Sequence, residues 1–299
     1  MIETGNHVHK QKRGWLSLYL LQIDAIPYVG HGRWHYWLKI CDELALPDEP
    51  IPQIQFTMWP SEKRVHAPEL LPEDPVDHVK RILKPYVQKG YWWDDAWLAF
   101  VRWLLHGFGR RDLEDEVTRI PESVRNFWYE QFNLAYLLQV PMEWSSFVLE
   151  GRASWMKNNG AKWAKSTGFF STPINVCDAM ARMAFMGDEG DTRVLTVCDP
   201  CCGTGNMLLP ASNYSLRLYG ADVVYDLCLC AELNGWLWAP WLVYHPPEVE
   251  EMFEKLSGTA MPPPPKVKQE TEPRYVEATK AYRRGELTQV DFFAAIGMS

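Results

Sequence analysis

The chain has 299 residues, 47% of them apolar and 23% charged, a globular composition long enough for one large domain or two ordinary ones. Such a composition excludes a disordered chain and a small disulfide-stapled scaffold. The formal net charge of −8 excludes a general basic coat for nucleic acid, so such a partner would have to be held by a local groove.

At the start, Lys10, Lys12 and Arg13 precede Leu16 to Leu21 in the manner of a secretory leader, but no small-residue cleavage site follows. The apolar stretch from Trp15 to Val29 is interrupted by Asp24 and Pro27. It falls short of the roughly 20 residues that a bilayer crossing needs, so no membrane partner is expected. Twelve of the fifteen tryptophans lie at or before Trp163, which marks the first half as different in kind from the second.

Within that half, Leu46 to Pro75 is rich in proline and reads as a long irregular connection. After Asp94 and Asp95, the residues Trp97, Leu98, Phe100, Val101, Leu104, Leu105 and Phe108 recur at helical spacing, and Gly107 or Gly109 offers a stop. A second helix is predicted to open at Pro121-Glu122-Ser123 and to carry Val124, Phe127, Trp128, Phe132, Tyr136 and Leu137 inward. Residues 1–150 are therefore expected to form a mainly helical, tryptophan-rich region.

Arg152, Lys157, Lys162 and Lys165 alternate with Trp155 and Trp163. Such a stretch suits a phosphate backbone and a stacked base, which makes Lys157, Lys162, Trp163 and Lys165 candidate nucleic-acid contacts. A solvated face with two packing tryptophans fits the same spacing.

Residues 151–260 change character. Val194 to Val197 is a β-branched apolar run that leads into Asp199-Pro200-Cys201-Cys202-Gly203-Thr204-Gly205-Asn206 and then into an apolar helical stretch. Leu216 to Asp222 reads as a second strand and Tyr225 to about Leu237 as the next helix. This order opens a doubly wound parallel sheet, and the expected fold class is α/β. A carboxylate that closes a strand before Gly-x-Gly places an acceptor and bare backbone amides where a nucleoside-bearing ligand can approach. Asp222 stands 23 residues beyond Asp199, and a carboxylate there can accept from a ribose diol or cap the following helix.

Five of the seven cysteines crowd between Cys198 and Cys230. They sit on predicted strand, loop and helix, where small buried residues are expected, so neither a disulfide framework nor a metal is expected and a reducing, cytoplasmic setting is. The final 261–299 read as a proline-rich linker through Pro273 and a terminal helix from about Tyr275 to Ile296.

Upstream of the glycine loop stands Gly168-Phe169-Phe170-Ser171-Thr172-Pro173. This pair of motifs resembles the S-adenosylmethionine-dependent N6-adenine DNA methyltransferases, especially the modification subunits of type I restriction systems. In that family a Gly-x-Phe/Tyr-Phe-x-Thr-Pro-like motif precedes Asp-Pro-x-x-Gly-x-Gly. The resemblance covers about a third of the chain, roughly 150 to 245. It implies an abbreviated class I methyltransferase domain with S-adenosylmethionine as cofactor and DNA as partner. It further implies that Thr172 and Pro173 line the methionine side, that Asp199, Pro200, Gly203, Gly205 and Asn206 wrap the cofactor, and that Asp222 holds its ribose.

The family aligns adenine N6 with Asp/Asn-Pro-Pro-Tyr/Phe/Trp, which combines a side-chain carbonyl, a backbone carbonyl and an aromatic platform. No such tetrapeptide occurs in these 299 residues. The nearest relative is His245-Pro246-Pro247-Glu248, which makes His245 the candidate catalytic residue although the amide and the ring are both replaced. The leading expectation is methyl transfer to DNA. The alternative is a non-catalytic module of phage or mobile-element descent that binds cofactor or completes the site of a second protein subunit.

Overall fold

The computed structural model of the protein describes Leu16 and residues 32–57, 73–156, 162–187 and 190–258. Lys157, the side chain of Lys162, most of the stretch before residue 32, and the linker and terminal helix expected over 261–299 lie outside the described residues. The chain divides into two units, Ile2–Thr259 and Met1 with Ala260–Ser299, and all described residues belong to the first.

The first half folds into α1 (Arg33–Glu43), α2 (Pro75–Val87), α3 (Trp93–Phe108), α4 (Glu114–Thr118), α5 (Glu122–Gln131), α6 (Ala135–Leu138) and α7 (Trp144–Leu149). Helix α2 starts on Asp74, whose Oδ1 accepts from Val76 N at 2.9 Å, with Pro75 in the first turn. Helix α3 carries Asp94 and Asp95 in its first turn and ends on Gly109, at φ 121°. Ala96 to Val101 and Trp103 to Phe108 of α3 are all buried.

The helix expected to run on to Leu137 instead stops at Gln131. Phe132 is extended, with φ −78° and ψ 134°, and Asn133 Oδ1 accepts from Ala135 N at 2.9 Å, which starts α6 afresh. The short amide side chain offers the backbone an alternative partner, and the apolar spacing does not reveal that competition.

The second half comprises α8 (Lys162–Thr167), α9 (Ile174–Phe185), β1 (Thr196–Asp199), α10 (Leu208–Ala211), β2 (Arg217–Gly220), α11 (Tyr225–Trp238) and α12 (Pro247–Ser257). Strands β1 and β2 pair in parallel, with Thr196 opposite Arg217 and Asp199 opposite Gly220. Strand β1 begins later than its apolar run because Asp191 Oδ1 accepts from Arg193 N at 3.0 Å and draws Thr192–Val194 into a 3-10 turn. Among the described residues the sheet has these two strands.

Helix α11 packs on α3 and is buried almost all round from Leu227 to Trp238. At Gly235 a Cβ would lie 2.2 Å from Val243 Cγ1, so the bare backbone is what lets the chain after α11 fold back. Aromatic stacking joins the two halves, with Trp236 against Phe108 at 4.8 Å and against Trp34 at 5.3 Å. Ion pairs Arg102–Asp226 and Arg110–Glu232 bridge the same seam. Both halves thus contribute to one apolar core. No helix among the described residues is long and apolar enough to cross a membrane.

Candidate cofactor site

The loop leaving β1 turns back on itself through its own amides. Asp199 Oδ1 accepts from Cys201 N at 3.0 Å, and Gly205 N donates to Cys202 O at 2.7 Å. The ladder continues past the strand ends, with Ala221 N donating to Asp199 O at 2.9 Å and Cys202 N to Ala221 O at 2.8 Å. Gly203 and Gly205 take φ of 55° and 93°, the left-handed side that glycine adopts without strain. Their missing side chains also admit neighbours, since a Cβ on Gly203 would lie 3.3 Å from Phe169 Cε2 and one on Gly205 3.4 Å from Ala231 Cβ.

Asp222, just past β2, closes the loop from the other side. Its Oδ2 accepts from Gly203 N and its Oδ1 from Val224 N, both at 2.9 Å. It therefore ties the loop to the start of α11, and the two acids expected to share a ligand do flank one loop. Burial pushes Asp199 above the ordinary carboxylate range, and it does the same to Asp222, where the nearby Asp199 charge adds to the effect. Behind the loop, Cys202 is pushed well above the usual thiol range by its hydrogen bond with Cys228 and by burial. The cysteines are all free thiols.

The wall is the segment before α9. Asn206 Nδ2 donates to Thr172 O at 2.9 Å, which joins the two motifs directly. Asn206 is 8% exposed and its Oδ1 is buried without a hydrogen-bond partner. Ser171 is clamped, its N donating to Glu150 Oε1 at 2.5 Å and its Oγ accepting from Arg152 at 3.2 Å. Phe169 packs against the core and meets Trp163 edge-on at 6.1 Å, whereas Phe170 is 79% exposed.

The floor joins the loop and α11 to Glu143 of the first half. Thr204 is fully buried and donates through Oγ1 to Glu143 Oε2 at 3.0 Å, and Asn234 Nδ2 reaches both Glu143 Oε1 at 3.0 Å and Thr204 O at 2.7 Å.

A glycine loop between parallel strands is thus tied to a Thr-Pro segment and flanked by two acids. Residues 154–231 match the N-6 DNA methylase family. No curated protein and no solved structure matches the chain. The match contains Thr172, Pro173, Asp199 to Asn206 and Asp222, so the methyltransferase-like character rests on the residues that the motifs singled out. His245 and Glu143 lie outside the methylase segment.

None of the hydrogen bonds described for the glycine loop involves His245. It is buried, its Nδ1 lies 2.7 Å from Glu250 Oε1, and its ring packs against Tyr219 and Trp37. Of the expected nucleic-acid contacts, Lys165 is exposed, while Trp163 packs on Phe169 and its N donates to Asp94 Oδ2 at 2.8 Å. Glu143, Glu150 and Asn234 support the loop and its wall but escaped the sequence reading, and Arg152, read there as part of a basic-aromatic stretch, instead holds Ser171. The available signal was slight, an acid ahead of Ser145 and Ser146 that reads only as a helix cap.

Proposed function

We propose that the loop from Asp199 to Asn206 binds S-adenosylmethionine, and that β1, the loop, α10, β2 and α11 are the opening of an abbreviated class I methyltransferase sheet. The observation that carries this reading is the unsatisfied Asn206 Oδ1, buried where the loop meets Thr172. A buried acceptor without a donor costs about 1–3 kcal/mol, and a ligand that supplies one recovers it. Asp199 and Asp222 add carboxylate acceptors beside it. This set suits a ligand rich in donors, and S-adenosylmethionine presents a ribose diol and an ammonium group. In that arrangement Asp222 takes the ribose, Gly203 and Gly205 allow close approach, and Thr172 and Pro173 border the methionine side. Bound there, the cofactor would supply an electrophilic methyl group, and DNA adenine N6 is the acceptor that the family match favours.

A second reading has a specific observation behind it. These 299 residues lack Asp/Asn-Pro-Pro-aromatic, and the nearest substitute, His245, is packed among Trp37, Tyr219 and Glu250. On this reading the protein binds the cofactor without catalysing transfer, or completes the site of a second subunit.

Calorimetry with S-adenosylhomocysteine, followed by transfer of labelled methyl groups to adenine-containing DNA, separates the readings. Binding with transfer supports the enzyme, and binding without transfer supports the cofactor-binding module. Asp199→Ala should weaken binding by about tenfold, the loss of one charge-assisted hydrogen bond. No binding by the unaltered protein would overturn the cofactor reading in both its catalytic and its non-catalytic form.

A further inference from the structure

The glycine loop is held from beneath by a residue that the methylase segment does not contain. Glu143 is 6% exposed, and both of its carboxylate oxygens are fully engaged. Oε1 accepts from Ser145 N at 2.7 Å and Asn234 Nδ2 at 3.0 Å, and Oε2 accepts from Ser146 N at 2.6 Å and Thr204 Oγ1 at 3.0 Å. Ser146 Oγ closes the ring 2.9 Å from Thr204 Oγ1. Capping α7 requires only the two serine amides. The other two hydrogen bonds go to residues 61 and 91 positions away, one in the loop and one on α11.

Thr204 stands between the two glycines with positive φ and is held twice, at its hydroxyl by Glu143 and at its carbonyl by Asn234. Glycine has more conformations to lose on ordering than any other residue, so a Gly-x-Gly loop left to itself would be ordered at the expense of ligand affinity. Anchoring the middle residue to a buried carboxylate moves that ordering into folding. We infer that Glu143 is a positioning residue for the cofactor loop, acting through Thr204, so that the tryptophan-rich half is a working part of the site. This inference rests on the cofactor reading above.

The test uses the full chain, S-adenosylhomocysteine as probe, calorimetry for affinity and thermal unfolding without ligand for stability. Glu143→Gln and Thr204→Val should each weaken affinity by about tenfold, the scale of a buried hydrogen bond to a charged group. The double variant should bind no more weakly than the worse single one, because both remove the same link. Thr204→Ser, which keeps the hydroxyl and loses the methyl group, should bind as the unaltered protein does. A purely packing role reverses that order, with Thr204→Val retaining affinity and Thr204→Ser losing it. The inference is overturned by that reversal, by independent effects in the double variant, or by lowered unfolding midpoints with unchanged affinity. Should Glu143→Gln fail to fold, the serine and valine variants of Thr204 decide alone. Binding by the unaltered protein with unaffected variants removes this inference and leaves the cofactor reading standing, whereas no binding by the unaltered protein removes the cofactor reading itself.

Discussion

Helices α3 and α9 are both apolar, and the fold treats them in opposite ways. In α3, Trp97, Phe100, Trp103 and Leu104 are fully enclosed, and only a few positions near its start and Arg102 reach solvent. In α9, Ile174, Cys177 and Ala181 are buried, while Val176, Met180 and Met183 stand exposed, Met183 at 72%. The strands repeat the contrast, since Leu218 and Arg217 of β2 are buried whereas Thr196 and Cys198 of β1 are exposed. The centre of the molecule is thus the seam between α3 and α11, and the candidate site lies at the boundary between that centre and the exposed side. Its floor, at Thr204, Glu143 and Asn234, is buried, while its rim, at Pro200 and Cys201, faces solvent.

The sharpest way to break this contrast is to truncate the enclosed helix. Phe100 is fully buried with Trp128 at 5.1 Å and Trp103 at 5.6 Å. Phe100→Ala should therefore cost about 3–5 kcal/mol in urea unfolding. A loss under about 1 kcal/mol would mean that the tryptophan-rich helices are not the stabilising centre.

The boundary itself is sharpened by pH. Burial holds the carboxyls of Asp199 and Asp222 above the ordinary range, so both protonate at a higher pH than a free aspartate, whose own value is about 3.9. Ligand hydrogen bonds to the ionised acids are present above the raised values and lost as pH falls through them. Affinity for S-adenosylhomocysteine should begin to fall while ordinary aspartates are still ionised, and Asp222→Asn should flatten part of that fall. For the unliganded fold the sign is opposite. Unfolding returns both acids to their ordinary range, so their burial costs stability once they ionise, and acidification toward the raised values recovers it. An affinity profile flat down to about pH 4 would remove the two acids from the ligand contacts.

The smallest effect is expected on the exposed side, where Met183→Ser should change unfolding stability by no more than about 0.5 kcal/mol. A larger loss would show that the outer face of α9 is covered in solution.

Much of the site was legible along the chain, because its requirements are local. Asp199, Gly203 and Gly205 encode a strand end and two positions of positive φ, and their side chains, or lack of them, serve those needs without reference to distant residues. The same holds for α3, whose long apolar pattern, early Asp94 and closing Gly109 announce a helix, and for the apolar run of α11. Where short polar side chains compete for the backbone, the reading shifted, as at Asn133, which breaks one expected helix into two, and at Asp191, which delays β1.

The chain by itself therefore determined the motif pair and the turn that leaves β1, since the Asp199 strand end and the two positive-φ glycines follow from backbone geometry within a few residues. Only the tertiary structure decided that Glu143 supports Thr204, that Asn206 keeps an unsatisfied acceptor, and that His245 packs among aromatic rings away from the loop's contacts. Those facts depend on which distant segments meet, across 34 residues for Thr172 and Asn206 and 61 for Glu143 and Thr204, and such meetings are set by the packing of whole helices.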